Sequence, residues 1–358
     1  MCAEETASST CPLFPYLAVI LLAFSVVWAK SFLVKALLRN AGKAARLVIL
    51  TIVFAHVSLS AQDKAAESAW KKASSEAESA LKKNQLNQAS DSYSAALAQA
   101  EKLGTNDSRL AETLRRYGSV RLQLGETADA EGAFRRALVV EEKRIGTNDI
   151  RLAEILLDLG EVCADMNRFE EAEEYYMRAQ GLVERKFGRY DRTVGICLQF
   201  RGDAALRDDR LPEAEKLLKE ALELAESPRV KVNFQINQYA SRRVQPPNNA
   251  QIAAIQNDLG ILYRKLKRYD DSEKSLKQSI SHYETQYGKA SLFLCNPLFN
   301  SAQTYIAETR YADAQAALRR CLALGKAGKS DAPLLEAAEK ELDAVAALQK
   351  KAAASPSR

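Results

Sequence analysis

The sequence predicts an all-α array of about six helix-turn-helix units behind a separate N-terminal segment, and three observations carry that prediction. Gly118, Gly160 and Gly202 recur every 42 residues; Gly260 follows after 58, and Ala302 after a further 42. Two more small-residue columns travel with the first. One, twelve residues on, holds Ala130, Ala172, Ala214, Ser272 and Ala314; the other, seven further, holds Ala137, Ala179, Ala221, Ser279 and Cys321. Between the columns, large apolar residues such as Leu156, Leu159, Phe169, Tyr175 and Tyr176 fall at the spacing of an amphipathic helix.

Each unit therefore reads as a helix, a short turn (Asn167-Arg168, Lys267-Arg268), a longer helix and a turn holding Gly104, Gly146 or Gly188. Small residues are expected where two antiparallel helices approach closely. The first unit keeps the offsets through Ala77, Ala89 and Ala96, with Trp70 and Tyr93 as large packers. Its apolar face is diluted by Asn, Gln and Ser, as suits a terminal unit with a wet outer side. At the other end, Ser330 or Asp331 can cap a closing helix that begins at Pro333 and spans about 330–352.

The stretch RLAEILLDLGEVCADMNRFEEAEEYYMRAQGLVERKFG, residues 151–188, resembles a tetratricopeptide repeat of the longer, 42-residue variety found in kinesin light chains. The common repeat has about 34 residues. The resemblance covers about residues 65–325. It implies a right-handed superhelix, an α-solenoid, whose concave groove is lined by the first helix of each unit. Family geometry then places a groove stripe along those helices. Its early part, Glu112, Arg115, Ser119, Leu122 and Gln123, gives way to an acidic middle of Glu154, Leu157, Glu161, Ala164 and Asp165. The fourth unit contributes Gln199, Asp203 and Arg207, with Leu206 beside them. The fifth contributes Asn257, Ile261, Arg264 and Lys265, and the sixth Phe299, Gln303 and Ile306. A peptide with apolar anchors and acidic flanks suits the last three units. The alternative is that these charges are a solvated face and the apolar residues meet the C-terminal helix.

The step of 58 inserts sixteen residues within 226–250. Val230, Val232, Phe234 and Ile236 alternate with polar residues like a strand, and Pro246-Pro247 then blocks helix. This insertion reads either as a lip that offers Phe234, Tyr239, Arg242 and Arg243 to the groove edge, or as a tolerated surface loop.

Residues 1–61 stand apart. Leu13–Ala29 is an uncharged apolar run just long enough to span a bilayer. A second apolar run covers Leu47–Ala61, and the linker between them holds five basic residues and no acid. Either both runs insert as a hairpin with the linker cytoplasmic, or the second is the core of a signal peptide ending near Ala61. Both place residue 62 onward outside the cytoplasm. A single-span anchor through Leu13–Ala29 would instead leave the array cytoplasmic.

The net charge of +5 carries little information, because beyond residue 61 the chain has 46 basic and 44 acidic residues, well mixed. Nothing resembles the basic stripe that a nucleic-acid backbone requires. Cys163, Cys197, Cys295 and Cys321 fall inside helical units and read as buried thiols; no CxxC or His pair suggests a metal. The two histidines, His56 and His282, complete no catalytic constellation, and no phosphate-binding, zinc-protease or nucleophile-elbow motif occurs. The expectation is a scaffold that binds a partner protein or peptide, with no enzymatic activity, cofactor or nucleic acid and with a membrane tether through the N-terminus. The alternative is a structural subunit of a membrane-associated assembly that packs through its convex face.

Overall fold

The computed structural model describes residues 43–231, 248–328 and 333–354. These residues form thirteen α-helices and one short 3₁₀ turn. Helix α1 (Lys43–Lys82) runs across the border between an N-terminal unit, Met1–Ser68, and a second unit, Ala69–Arg358. It continues unbroken through the end of the Leu47–Ala61 run at position 61. Among the described residues no helix is long and apolar enough to cross a membrane. The Leu13–Ala29 run lies outside the described residues.

In the second unit the helices pair in chain order. The end of α1 leads into α2 (Leu86–Leu103). Then come α3 (Ser108–Gln123) with α4 (Thr127–Ile145), α5 (Leu152–Asp165) with α6 (Phe169–Phe187), and α7 (Arg192–Arg207) with α8 (Leu211–Glu226). The last pairs are α9 (Asn248–Lys265) with α10 (Tyr269–Tyr287) and α11 (Cys295–Ala307) with α12 (Tyr311–Gly328). Helix α13 (Pro333–Ala354) closes the series. It buries Ala338 and Val345 completely and lays Leu335 over Gly325 of α12.

One backbone position marks every hairpin. Asn84, Gly125, Asn167, Asp209, Lys267 and Thr309 all have φ between 58° and 80° and sit at the turn joining first helix to second. The left-handed conformation reverses the chain in the fewest residues, and Asn, Asp and Gly tolerate it best. Lys267 and Thr309 hold it without that advantage. The turns between units use Gly104, Gly146, Gly188 and Gly288, again at positive φ. After the fourth unit the insertion replaces that turn.

The small-residue columns are buried as expected: Ala130, Ala172, Ala214, Ser272 and Ala314 are each 0% exposed. The glycine column works differently from a simple backbone contact. Each glycine faces a large side chain sixteen residues later on the partner helix. A Cβ on Gly118 would lie 2.8 Å from Phe134, one on Gly202 2.8 Å from Leu218, and one on Gly260 2.5 Å from Leu276; Gly160 lies under Tyr176 in the same way. Ala77 with Tyr93 and Ala302 with Leu318 repeat the register at the two ends, all four buried. Where serine replaces alanine in the fifth unit, its hydroxyl is satisfied across the pair. Ser272 Oγ donates to the Gly260 carbonyl and Ser279 Oγ to that of Ala253, both at 2.7 Å.

Apolar burial then spans successive pairs in separate clusters. One core cluster extends from Ala100 through Tyr263, and a second joins α11, α12 and α13. Of the strand-like stretch, the described residues show an isolated parallel bridge between Asp191 and Lys231; residues 232–247 lie outside the described residues.

These contacts predict that Gly160→Ala lowers stability by about 1–3 kcal/mol, because the new methyl would overpack the Tyr176 ring. Gly132→Ala, an exposed helical site with nothing within 4 Å, should raise it by about 0.5–1 kcal/mol. Urea denaturation followed by circular dichroism checks both.

Candidate binding face of the first helices

The first helices α3, α5, α7, α9 and α11 lie side by side, each touching its successor. The side chains along this face were the ones expected to line a groove, and the structure sorts them into two groups.

The larger group is spent on linking one first helix to the next. Arg115 of α3 reaches Glu154 and Asp158 of α5 at 3.2 and 3.3 Å. Arg207 of α7 reaches back to Asp165 at 3.1 Å and to Asp203 on its own helix at 3.9 Å. Gln199 donates to Asp258 at 3.0 Å, and Asn257 accepts from Asn300 at 2.9 Å. Lys265 donates to the Leu206 carbonyl and to Asp209, both at 3.1 Å. The acidic middle predicted from sequence is therefore largely neutralised by Arg115 and Arg207. Leu157, Ala164 and Leu206 were expected on the open face and are instead buried, at 8%, 3% and 3% exposure. Neighbouring first helices sit close enough to cover them.

The smaller group stays available. Ile261, Arg264, Phe299, Gln303 and Ile306 are half-buried. Burial lowers the pKa of the Arg264 guanidinium, and its Nε makes no hydrogen bond. Phe299 and Ile306 pack against the core cluster shared by α11, α12 and α13. The lip residues Phe234, Tyr239, Arg242 and Arg243 lie outside the described residues.

Asp203 and Asp258 form an acidic pair on adjacent first helices. Burial pushes the Asp258 carboxyl upward and the Asp203 charge adds to it, while the amides of Gln199 and Asn257 oppose the rise. Burial likewise raises Asp203, against the pull of Arg207. Sequence reasoning named Asp203 and missed Asp258. Its signal was there, an acid one residue from Asn257 on the same helix, but only packing decides that it turns toward α7.

The second helices carry a separate ladder. Arg136 pairs with Glu101 at 2.6 Å and Arg310 with Glu273 at 2.8 Å, each joining consecutive units, and Arg178–Glu142 and Arg320–Glu284 do the same. Such exposed pairs contribute little each to stability. Glu131, Cys163 and Glu171 come within 4.8 Å of one another, a grouping a metal could use. However, Arg135 and Arg168 already hold both carboxylates, and burial pushes the Cys163 thiol up to about 11. The array's four cysteines are all free and buried.

Tandem helical hairpins with an interlocked small–large register and one shared face define a helical repeat protein. Residues 151–227 and 251–327 match the family model of the tetratricopeptide repeat. Among solved structures, the chain is similar to BtubC (BKLC) from P. vanneervenii, at 19% identity over 75% of this chain and 94% of that one, TM-score 0.47. It is similar to the kinesin light chain nearly identical TPR-like repeats of Podosopora anserina, at 14% identity over 62% and 98%, TM-score 0.46. It is also similar to a Rap protein complexed with competence and sporulation factor, at 16% identity over 82% and 88%, TM-score 0.50. That last likeness speaks for the fold alone. No curated protein matches the chain in sequence. Proteins of tetratricopeptide repeats generally mediate protein–protein interaction, and the fold is typically a non-catalytic scaffold.

The acidic pair has a pH signature. A carboxyl raised in the folded state holds its proton more tightly there than in the unfolded chain. Stability from this group therefore falls as pH rises from the ordinary carboxylate range, about 4, toward neutrality. Asp258→Asn removes the effect, so the variant's urea midpoint should rise relative to wild type more at pH 8 than at pH 5.

Proposed function

We propose that this protein is a binding scaffold whose partner is a protein or an extended peptide held on the first-helix face of units four to six. One observation supports this reading above the others. Most polar side chains of that face are paired between helices, yet Arg264 stays without a hydrogen bond at Nε among half-buried apolar residues, Ile261, Phe299 and Ile306. A cation left so in a folded chain is available to an incoming acceptor, and apolar groups around it suit a peptide's anchors. The Rap protein's structure was solved in complex with competence and sporulation factor, which is consistent with a fold that holds a ligand. The residues above offer no nucleophile–base pair and no free ligand set, so the reading is non-catalytic.

We place the array outside the cytoplasm as part of the same proposal. Its support is the order of charges in the sequence: apolar run, basic linker of residues 30–46, second apolar run, then the repeats. N-terminal sequencing of the mature protein tests it. A start near Gln62 means export, an intact Met1 means retention of the N-terminal segment, and recovery of the array in the cytoplasmic fraction refutes the placement.

Binding is tested with the full chain on an immobilised peptide array. Arg264→Glu and Phe299→Ala should each weaken capture at least tenfold, with helicity unchanged by circular dichroism, while Lys277→Ala, exposed on α10, should leave it intact. Capture that ignores both face substitutions argues against the reading.

A further inference from the structure

The first helices of the second and third units start in the same way, and the fourth departs from it. In the second unit, Arg109 forks back onto Asp107, Nε to Oδ1 at 2.8 Å and Nη2 to Oδ2 at 2.6 Å. In the third, Arg151 does the same to Asp149, at 2.9 and 2.8 Å. Both sequences read Asp-x-Arg. The fourth reads Asp191-Arg192-Thr193. The arginine has moved one residue forward, and the rotation of a helix start carries it to a different side. Thr193 takes the old place and donates its backbone N–H to Asp191, at 2.9 Å.

The displaced Arg192 is 6% exposed. Its Nε donates to Gln251 Oε1 on α9 at 3.2 Å, and its Nη2 has no partner. Gln251, 2% exposed, leaves its own Nε2 unpartnered beside it. Gly195 makes room for that amide, since a Cβ there would lie 2.9 Å away. Among the described residues no carboxylate forms an ion pair with Arg192. The chain from Ser227 to Asn257, which includes the whole insertion, contains no Asp or Glu but does contain Arg229, Lys231, Arg242 and Arg243. A buried cation with no counter-charge is costly by several kcal/mol, and a buried donor left unmade adds to that. Burial accordingly lowers the Arg192 pKa, with Tyr287 the neighbour that opposes it. Tyr287 in turn stacks on Phe293 with ring centroids 4.5 Å apart, and Phe293 is 56% exposed.

We propose that Arg192 and Gln251 form a carboxylate-accepting site at the edge of the array where α7, α9 and the end of α10 meet. The guanidinium Nη2 and the amide Nε2 are two donors for one carboxylate. The Tyr287–Phe293 stack offers an aromatic surface for the residue that bears or adjoins it. The site deepens the scaffold reading, because it assigns the partner an acidic group beside an apolar one and fixes where that group sits. The carboxylate comes either from a partner's free C-terminus or from an Asp or Glu side chain; its chemistry at Arg192 is the same.

The test uses the full chain and small probes in thermal unfolding. N-acetylphenylalanine presents a terminal carboxylate beside an aromatic ring. Acetyl-Phe-Glu-amide presents a side-chain one. N-acetylphenylalaninamide is the neutral control. At about five times its Kd, a carboxylate probe should raise the unfolding midpoint by about 1–2 °C, and the neutral control should not. The shift should vanish in Arg192→Met and shrink in Gln251→Met. Without probe, Arg192→Met should unfold at or above the wild-type temperature, since it removes an unpaired charge. A shift from the first probe alone assigns a terminal carboxylate, and a shift from the second alone a side chain. The site is refuted if neither carboxylate probe shifts the midpoint, or if the shift survives in Arg192→Met. If peptide capture on the Arg264–Phe299 face persists in that case, only this site fails. Loss of that capture as well removes the scaffold reading itself.

Discussion

The structure depends on how closely the two helices of a hairpin can approach. In four units a glycine on the first helix accepts a phenylalanine, tyrosine or leucine from the second; at both ends alanine stands in its place. This interlock sets the spacing within a pair. The two alanine columns then set the fit on either side of it. Once the spacing is fixed, each hairpin presents a flat apolar flank that it cannot bury alone, and the next hairpin covers it. The long, continuous core cluster is the result.

The same geometry explains why so much polar chemistry on the first-helix face is inward-looking. Adjacent first helices are near enough for Arg115 to span to Glu154 and Asp158, and for Gln199 to reach Asp258. Groups that a single repeat would leave to solvent become fasteners between repeats. What remains unpaired is correspondingly informative. Among the described residues, Arg264 and Arg192 are partly or deeply buried cations without a carboxylate; Arg264 lies in the helix that follows the insertion and Arg192 bonds to Gln251 of that helix.

The hairpins were legible from the sequence because their determinants are local and periodic: a small residue at fixed offsets, a turn residue that tolerates positive φ, and a 3.6-residue apolar rhythm. The closing helix at Pro333 was legible for the same reason. The partner of each glycine was not, since the register of sixteen appears only when two helices are laid together. Nor were the links between units that join residues 35 to 59 positions apart. Leu157 and Leu206 were misplaced because a stripe drawn on one helix ignores the neighbour that covers its margin. Arg192 left a trace, the change from Asp-x-Arg to Asp-Arg-Thr. That trace has meaning only once Arg109 and Arg151 are seen gripping their own aspartates.

Amide hydrogen exchange tests most directly whether each hairpin is held by its neighbours. The comparison is between wild type and Leu276→Ala, which empties the seat opposite Gly260. The account predicts faster exchange in α9 and α10, a smaller acceleration in the flanking α7–α8 and α11–α12 pairs, and no change in α2 and α3. Uniform acceleration along the whole chain, or an effect confined to α10, would contradict it.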